Sequence, residues 1–271
     1  MDYIHALVMG IIQGLAEFLP ISSSAHLALY PKVFNVNSGL LNSVAYDVAL
    51  HAGTLAALVI FFWKKVLNLL GAFFKGLAGA KARQSSDFKM SIYIIAGTIP
   101  AVLAGYFLGD YIETAFRDPL RIAYMLIIFG GVLWIADRVG KKRKEITGIN
   151  LVDSLIVGVA QALALIPGVS RSGITISAGL FAGYKRKDAA EFSFLLSIPA
   201  VAGAFAMQAK HLIKAGADYG AVLILIGFLA SAISGMFAIK FLLNYVSRKS
   251  FNPFVWYRFI LGAAIIAVFF R

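Results

Sequence analysis

No cysteine occurs anywhere in the chain, which excludes disulfides, thiolate metal sites and a cysteine nucleophile. Charge is scarce as well: 14% of residues are charged and only 13 are acidic, where a soluble domain averages about 25% charged. With 60% hydrophobic residues and a mean hydropathy of +0.83, the chain is excluded from the soluble class and reads as a membrane protein. Its 271 residues hold six to eight spans and leave no stretch for a soluble domain. The apolar N-terminus from Tyr3 lacks a basic leader and carries Gln13 and Glu17, so it is expected to belong to the mature protein.

What is present in excess is positive charge, +12 net. Orientation in a bilayer explains it without nucleic acid, and no nucleic-acid partner is expected. Six spanning helices are predicted near 45–63, 90–109, 119–137, 189–210, 219–243 and 254–270, each about the 20 residues a hydrocarbon core requires. Two further apolar stretches are too short and too broken to cross. Tyr3–Leu19 stops at Pro20 and three serines, and Leu151–Ile166 followed by Gly173–Tyr184 repeats the pattern. Two half-helices joined by a polar turn suit a re-entrant hairpin. The fold class expected is therefore an all-α integral membrane protein built as an inverted-topology repeat. Each half, about 1–140 and 148–271 of a single membrane domain, holds one re-entrant helical hairpin and three transmembrane helices. With that topology sixteen lysines and arginines fall on one side (residues 64–89, 138–144, 185–187 and 248–249) and six on the other (Lys32, Arg117, Arg121, Lys210, Lys214 and Arg271). The richer side is assigned to the cytoplasm, with both termini outside. Val66–Ala80, flanked and interrupted by lysines, is read as a helix lying on the surface.

The polar breaks are copies of each other. GIIQGLAEFLPISSSAH (Gly10–His26) and GVAQALALIPGVSRSGIT (Gly158–Thr175) align at an offset of 148, which lays Gly10 on Gly158, Gln13 on Gln161, Ser22 on Ser170 and Ser24 on Ser172. Only the first carries Glu17 and His26; only the second carries Arg171. Polar turns in lipid survive where protein or water meets them, so copies with different charges point to one composite site. In the second turn Gly168 and Gly173 permit tight backbone, Ser170, Ser172 and Thr175 offer hydroxyls, and Arg171 presents a guanidinium fork at a helix start: an oxyanion receptor. In the first, Gln13 and Glu17 share a helix face, and Ser22, Ser23, Ser24 and His26 follow. A carboxylate, a hydroxyl and an imidazole beside an anion site are the parts for phosphoryl transfer, and Glu17 could hold a divalent cation. The plainer alternative is an Arg171–Glu17 pair that stitches the hairpins, with the serines as helix caps. His51 reads as structural or peripheral. YDVALHAGTLAALV (Tyr46–Val59) weakly resembles AEFSFLLSIPAVAG (Ala190–Gly203), which sets Asp47 against Glu191.

QGLAEFLPISSSAH and PGVSRSGIT resemble the two signature motifs of the undecaprenyl-pyrophosphate phosphatase family associated with bacitracin resistance. YDVALHAGT, EFSFLLSIPA and YRFILG extend the resemblance over essentially the whole chain. It implies a multi-pass enzyme of the bacterial cytoplasmic (inner) membrane that removes the terminal phosphate of a C55 polyprenyl pyrophosphate. It further implies a divalent cation, Mg or Ca, and an active site opening to the outer face. Carried over by position, the resemblance implies functional roles for Glu17, Ser23, His26, Ser170, Arg171 and Thr175. Taken with the motif chemistry above, Glu17, Ser23, His26 and Arg171 are expected to be catalytic, Glu17 the metal ligand, and Gln13, Ser22, Ser24, Gly168, Ser170, Ser172, Gly173 and Thr175 to bind substrate. Gln13 stands where many relatives have Glu, and Ser24–Ala25 where relatives often have Thr-Gly. Serine, histidine and water each remain open as the attacking group. The rival class is a lipid-phosphate flippase or anion transporter using the same midplane site. Small residues from Gly227 to Gly235 suit helix packing, either within one chain or between the copies of a homodimer.

Overall fold

A computed structural model describes residues 1–116, 118–215 and 220–269. Arg117 and Arg271, and the predicted span limits at 219 and 270, lie outside the described residues, as do the side chains of Lys210 and Lys214. Eleven α-helices are described: α1 Asp2–Phe18, α2 Ser23–Val33, α3 Val44–Phe61, α4 Trp63–Ala78, α5 Ser86–Phe116, α6 Pro119–Val139, α7 Leu151–Leu163, α8 Arg171–Phe181, α9 Arg186–Ala215, α10 Ala221–Val246 and α11 Asn252–Phe269. Six of them (α3, α5, α6, α9, α10 and α11) are long and apolar enough to cross a membrane, and they match the six predicted spans. The protein is an all-helical, multi-pass membrane protein. The remaining helices are shorter. At 1.5 Å per residue, the 13 residues of α7 and the 11 each of α2 and α8 reach about 20 Å and 17 Å, less than a hydrocarbon core of about 30 Å.

Local chemistry sets the boundaries. Leu19, held extended before Pro20, ends α1. Asp118 caps α6 by accepting from the amides of Leu120 (3.0 Å) and Arg121 (3.2 Å), with Pro119 in the first turn. Asn150 caps α7 at 2.9 Å from the Asp153 amide. α4 runs along the predicted surface segment with Trp63, Leu67, Leu70, Phe74 and Leu77 exposed on one stripe, and Gly76 packs under the Phe88 ring.

The two halves pack reciprocally. α1 lies on α10 and α7 on α5, while α3 meets α9 and α6 meets α11. Both hairpin helices seat at glycines. A Cβ on Gly10 would fall 2.7 Å from Gly227 O, and one on Gly158 would fall 2.9 Å from Gly97 Cα, inside van der Waals contact. The small-residue stripe of α10 is consumed inside the chain: Gly227 packs on Tyr46 and Leu50, Gly235 on Phe18 and Ala57.

The basic segments gather at one end. Asp137 accepts from Arg186 Nε (2.6 Å) and the Phe251 amide (3.0 Å), Asp153 pairs with Lys144 (3.1 Å), and Lys65 pairs with Glu191 (2.6 Å). Burial first, then the hydrogen-bonded Asp153 carboxylate, pushes the Tyr184 hydroxyl far above the usual tyrosine range. Glu191 is thereby paired with Lys65.

Candidate functional site

The termination of α1 before Pro20 and the termination of α7 before Pro167 leave two turns, and the packing of α1 and α7 on opposite halves brings them together. Arg171 Nη2 donates to Glu17 Oε1 at 2.7 Å, and Ser172 Oγ donates to Leu19 O at 3.2 Å. Both members of the ion pair are largely buried, 7% exposed for Glu17 and 14% for the Arg171 side chain. The composite arrangement expected from the duplicated motif is thus present in the geometry.

Each turn ends in a serine with positive φ, Ser22 at 74° and Ser170 at 71°. Non-glycine residues adopt such backbone rarely, and chiefly where surrounding structure holds them there. The two occupy the N-cap positions of α2 and α8 and stand in equivalent places of the duplicated motif. Their side chains repeat each other too: Ser22 Oγ is 3.2 Å from Ser24 Oγ, and Ser170 Oγ is 3.3 Å from Ser172 Oγ. Ser170 Oγ also accepts from the Gly173 amide at 3.2 Å. Gly168, with φ 95°, lies against Ile122 and Met125 of α6, where no side chain fits.

The first turn carries a carboxylate, a hydroxyl and an imidazole. Glu17 Oε2 accepts from Ser23 Oγ at 2.7 Å and from Gln13 Nε2 at 3.1 Å. The amide oxygen of Gln13, fully buried, has no hydrogen-bond partner among the described residues; Gln161, its counterpart, has none at either side-chain atom. His26 points elsewhere. Its Nδ1 lies 2.7 Å from Ser22 O, which can only accept, so Nδ1 carries the proton; Nε2 then accepts from Tyr257 Oη at 2.6 Å. The two rings stack, 5.7 Å apart and 12° from parallel. Both imidazole nitrogens are engaged, and neither meets Ser23.

Thr175 is turned inward. Its hydroxyl bonds Arg171 O (2.7 Å) and Ser193 Oγ (2.6 Å), at 0% exposure, so it reaches the site through Arg171. His51 moves the other way. Read from sequence as structural or peripheral, it stands with Nε2 3.9 Å from Glu17 Oε2, its Nδ1 held by Asp47 O at 2.8 Å. Its half-exposed side chain, exposed Ser24 and half-exposed Tyr257 form the rim by which the site meets its surroundings. Tyr257 and Arg258 of α11 are additions that sequence reasoning missed; a family-like YRF string was the only signal. Arg258, 0% exposed, lies directly behind the turns.

Among the described residues no group of three histidine, aspartate or glutamate side chains gathers to hold a metal. The oxygens on offer to a hard cation are those of Glu17 and the unpartnered amide oxygen of Gln13, which suits an ion that takes its remaining ligands from phosphate and water.

The profile of the family described as bacitracin resistance protein BacA matches residues 6–264. Over full length the chain is similar to proteins named undecaprenyl-diphosphatase. One from Thermodesulfovibrio yellowstonii is 47% identical, covering 99% of this chain and 98% of the relative. One from Moorella thermoacetica is 46% identical with the same coverage, and one from Geobacter metallireducens is 45% identical over the whole of both chains.

Proposed function

Because the chain belongs to the bacitracin resistance protein BacA family, we infer that it is an undecaprenyl-diphosphatase. It is a membrane hydrolase that converts undecaprenyl pyrophosphate to undecaprenyl phosphate and inorganic phosphate, returning the lipid carrier to cell-wall synthesis. The observation that carries the chemical assignment is the meeting of the two turns: one carboxylate, Glu17, is shared by Arg171 of the second turn and Ser23 of the first.

The proposed reaction runs as follows. The pyrophosphate enters between the turns while the prenyl chain lies along the lipid-facing surface. Its terminal phosphate oxygens compete with Glu17 for Arg171 and take up the amides of Arg171 and Ser172, which as first-turn positions have no carbonyl within their helix to bond. Ser23 Oγ attacks the terminal phosphorus and gives its proton to Glu17; the bond to the bridging oxygen breaks, and undecaprenyl phosphate leaves. His26, whose Nε2 is unprotonated, serves as the base for the second step through the Tyr257 hydroxyl. Water, giving one proton through Tyr257 to His26, then attacks the phosphoserine phosphorus while Glu17 returns its proton to the departing Ser23 oxygen; phosphate is released and His26 gives its proton to solvent. Arg171 and the amides stabilise charge on the transferred group. Thr175 positions Arg171, and Ser22, Ser24, Ser170 and Ser172 shape the two turns around the anion. A divalent cation, Mg or Ca, would be held by Glu17 and the Gln13 amide oxygen, and it would supply neutralisation of the pyrophosphate charge.

In the membrane, α1–α2 and α7–α8 are proposed as re-entrant hairpins of an inverted repeat, 1–140 and 148–271. The reading is supported by the short helices, the reciprocal packing and the gathering of basic segments at one end. The positive-inside rule then sets that end in the cytoplasm of a bacterial inner membrane, with both termini outside and the site open to the outer face. The enzyme is tested by phosphate release from a C55 or shorter prenyl pyrophosphate in detergent. Steady turnover by the purified chain is expected. A flippase or anion carrier using the same pocket releases none, and near-normal rates in both Glu17→Ala and Arg171→Ala would remove the composite site.

A further inference from the structure

Among the described residues Arg258 is the largest fully buried side chain, and no carboxylate pairs with it. Its guanidinium is surrounded by carbonyls instead. Nη1 donates to Pro20 O at 3.3 Å; Nη2 donates to Gly168 O at 2.9 Å, Val169 O at 3.0 Å and Met125 O at 3.4 Å; Nε donates to Leu126 O at 3.1 Å. One planar fork therefore holds three separate segments: the first polar turn, the second polar turn and α6. The carbonyls it takes from the turns lie one or two residues before the two serines with positive φ. Val169 O precedes Ser170 directly, and Pro20 O lies one residue short of Ser22. Strained backbone of that kind persists only where its surroundings fix it.

The peptide geometry connects this clamp to the chemistry. In a trans peptide the carbonyl and the following amide point in opposite directions. Drawing Val169 O onto Arg258 turns the Ser170 amide away from it, and that amide has no acceptor among the described residues. Beside the Arg171 and Ser172 amides it completes a run of backbone donors suited to an anion. The guanidinium also lies close beneath the start of α8, where a Cβ on Gly173 would fall 2.9 Å from Nη1. Its charge, compensated only by dipoles, adds positive potential behind the phosphate position.

We propose that Arg258 is a positioning residue for the hydrolysis: it fixes the spacing of the two turns and aims the second turn's amides, without touching substrate. The inference rests on the phosphatase reading above. Lysine cannot substitute, because a compact ammonium has three donors and no planar fork. The test uses the full chain purified in detergent, with Arg258→Lys and Arg258→Met beside the wild type. Thermal melting and phosphate release resolved into kcat and KM are measured for each. The expected result is a monodisperse Arg258→Lys protein whose kcat falls about 100-fold, with KM changing by less than about threefold. Arg258→Met should fall further. Gly173→Ala, which crowds Nη1 while keeping the charge, should lower kcat about tenfold, and it decides the matter if both Arg258 variants fail to assemble. A folded Arg258→Lys or Gly173→Ala protein with wild-type kcat, or a loss confined to melting temperature, overturns the proposal. A wild type that releases no phosphate overturns the phosphatase reading itself, which separates the two failures.

Discussion

Removing the charge from Glu17 while keeping its shape should damage folding and chemistry by separable amounts. Glu17→Gln leaves Arg171, 14% exposed, without the carboxylate 2.7 Å away. Breaking a buried pair on one side costs about 3–5 kcal/mol, because the remaining ion stays desolvated and uncompensated. At roughly 2–4 °C per kcal/mol for a chain of this size, the melting temperature in detergent should drop by about 10 °C. Arg171→Gln should fall by a similar amount. The double variant, with an amide facing an amide, should recover most of the loss, since exchanging both partners removes the uncompensated charge. Activity follows a different pattern. Each single variant loses the proposed proton acceptor or the proposed phosphate clamp, so turnover should fall by about 10³-fold in either, and the double variant should recover none of it. The assays are a thermal melt and phosphate release on the same preparations. A double variant no more stable than the singles, or a single variant with unchanged melting and turnover, would refute the reasoning that this buried pair is both structural link and chemical site.

Ser23→Ala should lower turnover by about 10³-fold or more at a stability cost of about 1.5–3 kcal/mol for the one hydrogen bond lost to Glu17, and labelled substrate should leave phosphate on Ser23 of the native protein; label on His26 instead would reassign the nucleophile. Tyr257→Phe frees His26 Nε2 from its 2.6 Å partner and should slow turnover about tenfold with little effect on stability, whereas an unchanged rate would remove the relay. Gly158→Val drives a branched side chain into the Gly97 backbone and should destabilise by about 1–3 kcal/mol or more; a melt equal to wild type would contradict the α5–α7 seat. The absence of cysteine makes labelling clean. Leu77→Cys on the exposed stripe of α4 and Lys249→Cys should both react with an impermeant thiol reagent from the cytoplasmic side only, and outward reaction at either would reverse the proposed orientation. Gly76 is unsuited to that experiment, since it is packed under Phe88.

The six spans were legible because lipid demands about 20 apolar residues per crossing and leaves little freedom in composition. The meeting of Glu17 and Arg171 was legible for a related reason: two opposite charges in duplicated polar turns have few other ways to be compensated. Three features were hidden. Arg258 takes five carbonyls, and backbone oxygens leave no trace in sequence, so a lone arginine in a span gives no clue to its partners. His51 and His26 differ in role through rotamer and neighbour; one imidazole faces Glu17 and the other is taken by Tyr257, 231 residues away in the chain. Thr175 belongs to the signature string, yet its hydroxyl turns inward to Ser193, a direction that spacing alone does not give.

The duplication itself explains why the site is asymmetric. Both copies retain what backbone geometry requires: a glycine seat against the opposite half, a serine at positive φ, and a second serine two residues on within 3.3 Å. These features build the same strained turn twice, and the turn is indifferent to the charge it displays. Two turns each carrying arginine would repel at the point where they meet, and two carrying glutamate would repel both each other and a pyrophosphate. Dividing the charges leaves a resting pair that is nearly neutral, with the dipole-compensated Arg258 behind it. In the proposed reaction an arriving pyrophosphate takes Arg171 from Glu17 without leaving an arginine unpaired, and the displaced carboxylate still holds the hydroxyl of Ser23. Phosphate binding and nucleophile activation then depend on the same exchange of partners. The double variant with amides at positions 17 and 171 is therefore expected to keep the fold and lose the enzyme.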